Sequence, residues 1–338
     1  MPPARKHPQG SLFGPLGLAF GGVIVAILGL EVGSRIAVPH WRWLTPQRFL
    51  TSTADGVLSG LPNFHGRLAS LSGEFDTSVD LDGRGFANRS DADPGAPLVF
   101  FGDSFCLGWG LDREQRFADL VARGLGVPSY NFCMIAADLV DDLRIQRRWL
   151  PPGWRGTTVL SVTFENDVLA YPDPDARPGT PTDSVRGLSR SAGARWLVEH
   201  SALFNVTANL ARRSATLVAM VHRLGLMSGV PVISANGIDP IQASVRVVEK
   251  IRSRAGDGPF LVVTVPPRPG QVLYVEYAQF VAALRGAGFS VIDPASEPSV
   301  RISTIPNDGH WDRRTNAAIA DVIVARLRSP LASPTPTS

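Results

Sequence analysis

The sequence predicts an α/β domain built on a parallel sheet and preceded by one membrane-spanning helix. Three observations carry that prediction. An uncharged apolar run lies near the N-terminus, apolar runs alternate with amphipathic stretches from Pro97 onward, and an apolar-periodic helix follows a short polar loop near the C-terminus.

Composition sets the frame. With 338 residues, 44% of them hydrophobic, the chain has ample material for a packed core, and disorder throughout is excluded. The 33 basic and 30 acidic residues are interleaved and leave a net charge of only +3. That pattern lacks the dense basic stripe of a nucleic-acid binder, so no nucleic-acid partner is expected. Two cysteines and six histidines occur without CxxC, HxxxH or HExxH spacing, so neither a metal site nor a cofactor is expected. Cys106 and Cys133 form an even pair open to two readings, a disulfide that a location outside the cytoplasm would permit and two buried free thiols.

The N-terminal element comes first. After a tail of residues 1–11, Leu12 to Leu30 contain no charge, and nineteen helical residues span about 28 Å, close to the thickness of a bilayer's hydrocarbon. Residues 12–30 are therefore read as an anchor in the lipid bilayer. A cleaved signal peptide and an apolar core helix are the competing readings. The length of the run and the lack of an A-x-A site favour an uncleaved anchor. Arg5 and Lys6 precede the run, while Trp41 and Trp43 follow it at a distance suited to the far headgroup layer. This arrangement predicts a single-pass protein of the inner (plasma) membrane with its main domain periplasmic or extracellular. Arg35, Arg42 and Arg48 pull toward the opposite orientation.

Residues 31–95 are short on helical periodicity and carry turn signals at Asp82-Gly83 and Asp93-Pro94-Gly95, which predicts a juxtamembrane linker and a hairpin region. Residues 96–328 form the main domain, with strands expected at Leu98–Phe101, Val127–Phe132, Thr158–Thr163, Phe260–Val265 and Ser290–Ile292. Between the third and fourth strands, residues 171–257 read as an insertion that opens on the Pro-rich segment Tyr171-Pro172-Asp173-Pro174-Asp175 and becomes helical in pattern. Arg195, Arg212, Arg213 and Arg223 within it read as a solvated helix face. Residues 329–338 are expected to be a flexible tail.

The chemistry-bearing residues fall at three strand or loop ends. Leu98-Val99-Phe100-Phe101-Gly102-Asp103-Ser104-Phe105 reads as a buried strand running into a turn, which puts Ser104 at a carboxyl edge where open α/β sheets place ligands. A helix N-terminus close by would favour a developing oxyanion. The segment Phe164-Glu165-Asn166-Asp167 places an amide and two acids at the end of the third strand. Asn307-Asp308-Gly309-His310-Trp311 precedes a helix with apolar residues at Ile319, Ala320, Ile323 and Leu327. A serine hydroxyl needs a base, and an imidazole base needs a carboxylate to fix its tautomer, which Asp308 and His310 can supply together. A phosphate-cradling loop is disfavoured because no GK[ST] follows Gly102–Gly110, and a GxSxG lipase because the second glycine is absent.

Taken together, GDSF at Gly102–Phe105, FEND at Phe164–Asp167 and DGHW at Asp308–Trp311 resemble the blocks of the SGNH (GDSL-like) hydrolase family, and more closely its bacterial membrane-tethered members. Gly108, Gly110 and Leu111 look like the continuation of the first block, and Gly73-Glu74-Phe75 to Gly85-Phe86 is similar to the region before the first strand. The resemblance covers residues 70–165 and 258–328 and leaves the insertion uncovered. It implies a flavodoxin-like three-layer fold with Ser104 as nucleophile, His310 as base and Asp308 as the orienting acid. It also implies an oxyanion hole made of the Ser104 N–H, the Asn166 side chain and an N–H from a second block. Asn131-Phe132-Cys133-Met134-Ile135-Ala136 aligns there with Cys133 and Ala136 replacing two glycines, so Ala136 is the expected third donor.

The DxHW spacing is also similar to that of alginate O-acetylation proteins. The resemblance therefore implies a serine esterase acting on acyl, chiefly acetyl, esters of a surface polysaccharide. A polysaccharide O-acetyltransferase with the same triad is the first alternative, and a non-catalytic glycan-binding or scaffold subunit the second. The expected partners are an acyl-ester or glycan substrate and membrane proteins of polysaccharide export or acyl donation.

Overall fold

A computed structural model describes residues 13–168, 192–213, 238–267 and 276–329. The tail 1–11, Leu12, the Tyr171–Asp175 segment, Arg223 and residues 330–338 lie outside the described residues.

Helix α1 (Phe13–Ala37) runs seven residues past the uncharged segment, because Glu31 and Arg35 pair at i,i+4 and find partners in the main domain. Its apolar side chains, among them Phe20, Val25 and Leu28, are exposed. From Gly17 to Ala37 it is long and apolar enough to cross a membrane.

Two antiparallel hairpins follow: β1 (Leu50–Ser52) with β2 (Leu58–Gly60), and β3 (His65–Ala69) with β4 (Asp76–Asp80). In β4 the alternation of buried Thr77 and Val79 with exposed neighbours marks one face turned inward. Phe49, Leu68, Phe75 and Leu81 join the core of the main domain. These residues are packed structure rather than linker.

The main sheet contains β5 (Leu98–Phe101), β6 (Ser129–Asn131), β7 (Thr157–Thr163), β8 (Phe260–Val265) and β9 (Ser290–Ile292), all parallel, in the order β6-β5-β7-β8-β9. The continuous apolar runs of β5 and β8 are buried on both faces, as a parallel sheet requires. β6 is shorter than the expected Val127–Phe132. Val127 instead donates to Ala122 O, closing α3 (Phe117–Leu125) through Gly126 in the left-handed region.

Side chains alternate across the sheet into two cores. Val99, Phe101, Leu160 and Val262 face α4 (Leu139–Trp149), α8 (Pro240–Arg254) and α9 (Tyr277–Gly286). Leu98, Phe100, Val159 and Val263 face α3 and α10 (Arg313–Arg328). This is the three-layer α/β fold with a parallel sheet that the sequence predicts. Its strand order is that of doubly wound sheets, with a switch point where the chain leaves β5 toward β6 on one side and later returns as β7 on the other.

The span read as an insertion divides. Its last part, α8, contributes Val247, Val248 and Ile251 to the core against α4, so it is the helix covering the crossover from β7 to β8. Its middle part contains α6 (Ala192–His200) and α7 (Ala202–Arg213), which pack near the end of α1. Trp41, expected to face a headgroup layer, is packed inside the protein. It is 5% exposed, clustered with Leu44 and Ala202, with the Arg35 and Arg42 guanidinium groups over its ring.

Candidate active site

The carboxyl end of β5 breaks sharply at Gly102. Its φ of 141° is unfavourable for any side chain, and a Cβ there would meet Ser161 Cβ and O at 2.8 Å. The Gly102 N–H donates to Asp142 Oδ1 at 3.1 Å and its carbonyl accepts from Met134 N–H at 2.9 Å. Asp103 then caps the one-turn helix α2 (Ser104–Leu107), accepting the Phe105 N–H, so Ser104 is the first helical residue at the sheet's edge. Gly108, at φ 83°, ends α2 and lets Trp109 turn back with its N–H on Ser104 O.

On the far side of the edge, residues 304–311 form a small loop. Thr304 and Trp311 make an antiparallel bridge, Ile305 N–H donates to His310 O, and Asp308 and Gly309 both donate to Ile305 O. Asp312 caps α10 immediately afterward, and Trp311 is buried against Phe105 and Phe117. This loop brings His310 Nε2 to 2.8 Å from Ser104 Oγ and His310 Nδ1 to 2.5 Å from Asp308 Oδ1. With the ring proton on Nδ1 and donated to Asp308, Nε2 is left to accept the Ser104 hydroxyl. The serine is 7% exposed, and the imidazole and Asp308 side chains about a fifth exposed, so the trio lines the surface without being swamped by water.

Three flanking residues were not foreseen. The Trp109 indole N–H donates to Asp308 Oδ2 at 3.0 Å, and its ring stacks on His310 at 5.1 Å and 19°. Phe105 covers His310 with ring centroids 4.7 Å apart. Asp103, 1% exposed, accepts the Phe105 N–H at 2.9 Å and the Asn166 Nδ2–H at 2.8 Å, linking the serine's turn to the one-turn helix α5 (Phe164–Asp167). An aromatic just after the first block is the only sequence signal for Trp109. The Asp103–Asn166 contact leaves none.

The three expected oxyanion donors are placed as follows. Ser104 N–H stands at the first position of α2, where helical N–H groups have no intrahelical partner. Asn166 donates to Asp103, and a side-chain amide carries a second N–H. Ala136 sits exposed in a turn closed by Ala137 N–H to Met134 O, at φ +60°. The left-handed geometry that glycine supplies at such a turn is thus present here on an alanine, at a cost of about 1 kcal/mol. Cys106 and Cys133 are joined in a disulfide, Cα to Cα 5.6 Å, tying α2 to the start of that turn.

Electrostatically the site is split. Burial pushes the Asp308 carboxyl up, but the hydrogen bond and charge of His310 and the Trp109 N–H outweigh it and hold it below the ordinary range. Beneath the serine, Asp103, Asp142 and Asp167 are all 1% exposed, and burial raises each of them. Repulsion from neighbouring carboxyls adds to the rise, from Asp141, Asp138 and Asp103 at Asp142 and chiefly from Asp103 and Asp142 at Asp167. Among the described residues, no group of three or more His, Cys, Asp or Glu is arranged to hold a metal.

Comparisons with known proteins add little to this geometry. No family model matches the chain, and no curated protein matches it. Among solved structures, it is similar to a carbohydrate esterase family 2 enzyme with a carbohydrate-binding domain from Corynascus thermopiles (Myceliophthora fergusii), at 14% identity and TM-score 0.39, covering 68% of this chain and 66% of that one. A carbohydrate esterase described as having divergent catalytic and non-catalytic binding functions aligns at 14% identity and TM-score 0.38, over 70% of this chain and 65% of that one. This chain thus spans just under two thirds of each of these two. A protein described as lipolytic, of the G-D-S-L family, from Desulfitobacterium hafniense DCB-2 aligns at 9% identity and TM-score 0.32, over 68% of this chain and 97% of that one.

Proposed function

We propose that the protein is a membrane-anchored serine esterase of SGNH type that acts on acyl esters, chiefly acetyl esters of a surface polysaccharide. The observation that carries this reading is the hydrogen-bonded chain from Ser104 Oγ through His310 to Asp308. Its parts stand in the order needed for nucleophilic acyl transfer. Ser104 Oγ attacks the ester carbonyl while His310 Nε2 takes its proton, and Asp308 supports the imidazolium. The carbonyl oxygen becomes an oxyanion facing the donors of Ser104 N–H, Asn166 and Ala136. Collapse of the adduct breaks the C–O bond to the alcohol, which leaves with the proton from His310 and yields an acyl-serine. Water, deprotonated by His310, then releases the acid and restores the serine.

A second reading, O-acetyltransfer to a sugar hydroxyl, uses the same residues with a different acceptor. Ala136 and Asn166 are both exposed, which favours an acceptor side open to a bulky alcohol. The test is hydrolysis of an aryl acetate by the full chain in detergent. Ser104→Ala should reduce kcat by at least about 10⁴-fold, and equal activity in the variant would refute the assignment. Acetate release with and without oligosaccharide acceptors separates the two outcomes. A fall in free acetate matched by acetylated sugar identifies a transferase.

A further inference from the structure

Large apolar side chains left exposed among the described residues concentrate on two elements. One is α1. The other is the α6–α7 pair, with Trp196, Leu197 and Leu210, and only Leu61 and Ile302 lie elsewhere. The two elements meet at Glu31, the first charged residue after the uncharged run. The Ser201 hydroxyl donates to its carboxylate at 2.8 Å, and the Ala202 and Leu203 N–H groups each at 2.9 Å, closing the N-terminus of α7. Arg35 completes the joint, bonded to Glu31 at 2.7 Å and to His200 O at 2.6 Å.

Helix α7 is built for an apolar setting. From Ala202 to Ala211 it has no charged residue. One stripe, Ala202, Asn205, Val206 and Asn209, turns toward the protein: Ala202 and Val206 pack with Trp41 and Leu44, and Asn209 donates to Leu44 O. Leu203, Thr207 and Leu210 fall on another flank. There the Thr207 hydroxyl is spent on Leu203 O at 2.7 Å, which removes a polar group from that flank.

We propose that α6 and α7 form a second membrane contact, an interfacial ledge lying at the boundary of headgroups and acyl chains beside the anchor, with the lipid bilayer as its partner. The inference rests on reading α1 as a membrane span, and the ledge continues that lipid-facing surface. Its depth follows from Glu31. A carboxylate immediately beyond nineteen uncharged residues sits where hydrocarbon gives way to headgroups, and hydrogen bonds hold α7 at that level. Trp196, 59% exposed, presents the side chain that such boundaries favour.

The test uses the full chain in phosphatidylcholine–phosphatidylglycerol vesicles, fluorescently labelled at one introduced cysteine: Ile24→Cys in the anchor, or Trp196→Cys or Leu210→Cys on the ledge. Nitroxide lipids labelled shallow or deep, and aqueous iodide, serve as quenchers. The expected result is deep quenching at 24, at least twofold quenching by the shallow lipid at 196 and 210, and little effect of iodide there. Quenching of 196 and 210 by iodide alone, with 24 still quenched from the lipid, overturns the ledge and leaves the anchor standing. Protection of 196 and 210 from all three quenchers overturns it in favour of a protein partner. Iodide quenching at all three positions overturns the anchor reading and the ledge with it.

Discussion

Trp109 holds Asp308 from the side opposite His310: its indole N–H reaches Oδ2 at 3.0 Å while Oδ1 faces the imidazole at 2.5 Å. The same ring lies parallel to the imidazole, so one residue fixes both the acid and the base it orients. A hydrogen bond to an ionised group contributes about 1.5–3 kcal/mol. Trp109→Phe, which keeps a ring and loses the donor, should lower kcat/KM by about tenfold or more with an unchanged circular dichroism spectrum. Trp109→Ala should cost more, because the stack goes too.

As a donor to the oxyanion in the proposed mechanism, Asn166 would bear on the transition state rather than on binding. Removing one preorganised oxyanion donor costs about 10²–10³ in kcat. Asn166→Ala should therefore lower kcat in that range with KM nearly unchanged, in steady-state assays on an aryl acetate. A rise in KM at constant kcat would assign Asn166 to ground-state binding.

The carboxyls beneath the serine predict a pH dependence of stability. Asp142 is raised well above 3.8 by burial and by its acidic neighbours. The folded chain therefore keeps a proton that the unfolded chain has already lost, and stability declines as pH climbs from the ordinary carboxyl range toward the native value. The slope is at most about 1.4 kcal/mol per pH unit for one group. Asp142→Asn preserves an acceptor for Gly102 N–H and removes the charge. In urea titrations from pH 4 to 8 the variant should show a flatter profile and exceed the wild type at the upper end.

The Cys106–Cys133 disulfide closes a loop with a sequence separation of 27. The chain-entropy model assigns such a loop about 3.5 kcal/mol. Replacing both cysteines with alanine should lower the free energy of unfolding by up to that amount, measured by chemical denaturation without reductant. Esterase activity should fall alongside, since α2 and the Met134–Ala137 turn are no longer tied together.

Legibility in the sequence followed the range of the interactions. The buried strands Leu98–Phe101 and Phe260–Val265 and the apolar helix α1 are local patterns, readable because both rest on near-continuous apolar runs. The three blocks could be ordered along the chain, and the sheet then brings their side chains to one edge. Contacts across long separations were not readable: Trp109 to Asp308 spans 199 positions, and Glu31 to Ala202 spans 171. The same reason hid α8 inside the apparent insertion, since its amphipathic pattern declares a buried face without saying what covers it. The positive φ of Ala136 was invisible because alanine rarely adopts it, and the geometry is set by the turn between β6 and α4 rather than by the residue.

The joint at Glu31 also bears on reach. A domain tethered by a pliable linker sweeps a broad volume and meets whatever drifts through it. Here the last turns of α1 are held to the N-terminus of α7 by three hydrogen bonds to the Glu31 carboxylate, so the two helices turn together with no swivel between them. Such a joint carries any tilt of α1 directly into α7, and through Ala202 and Val206 into the Trp41–Leu44 cluster.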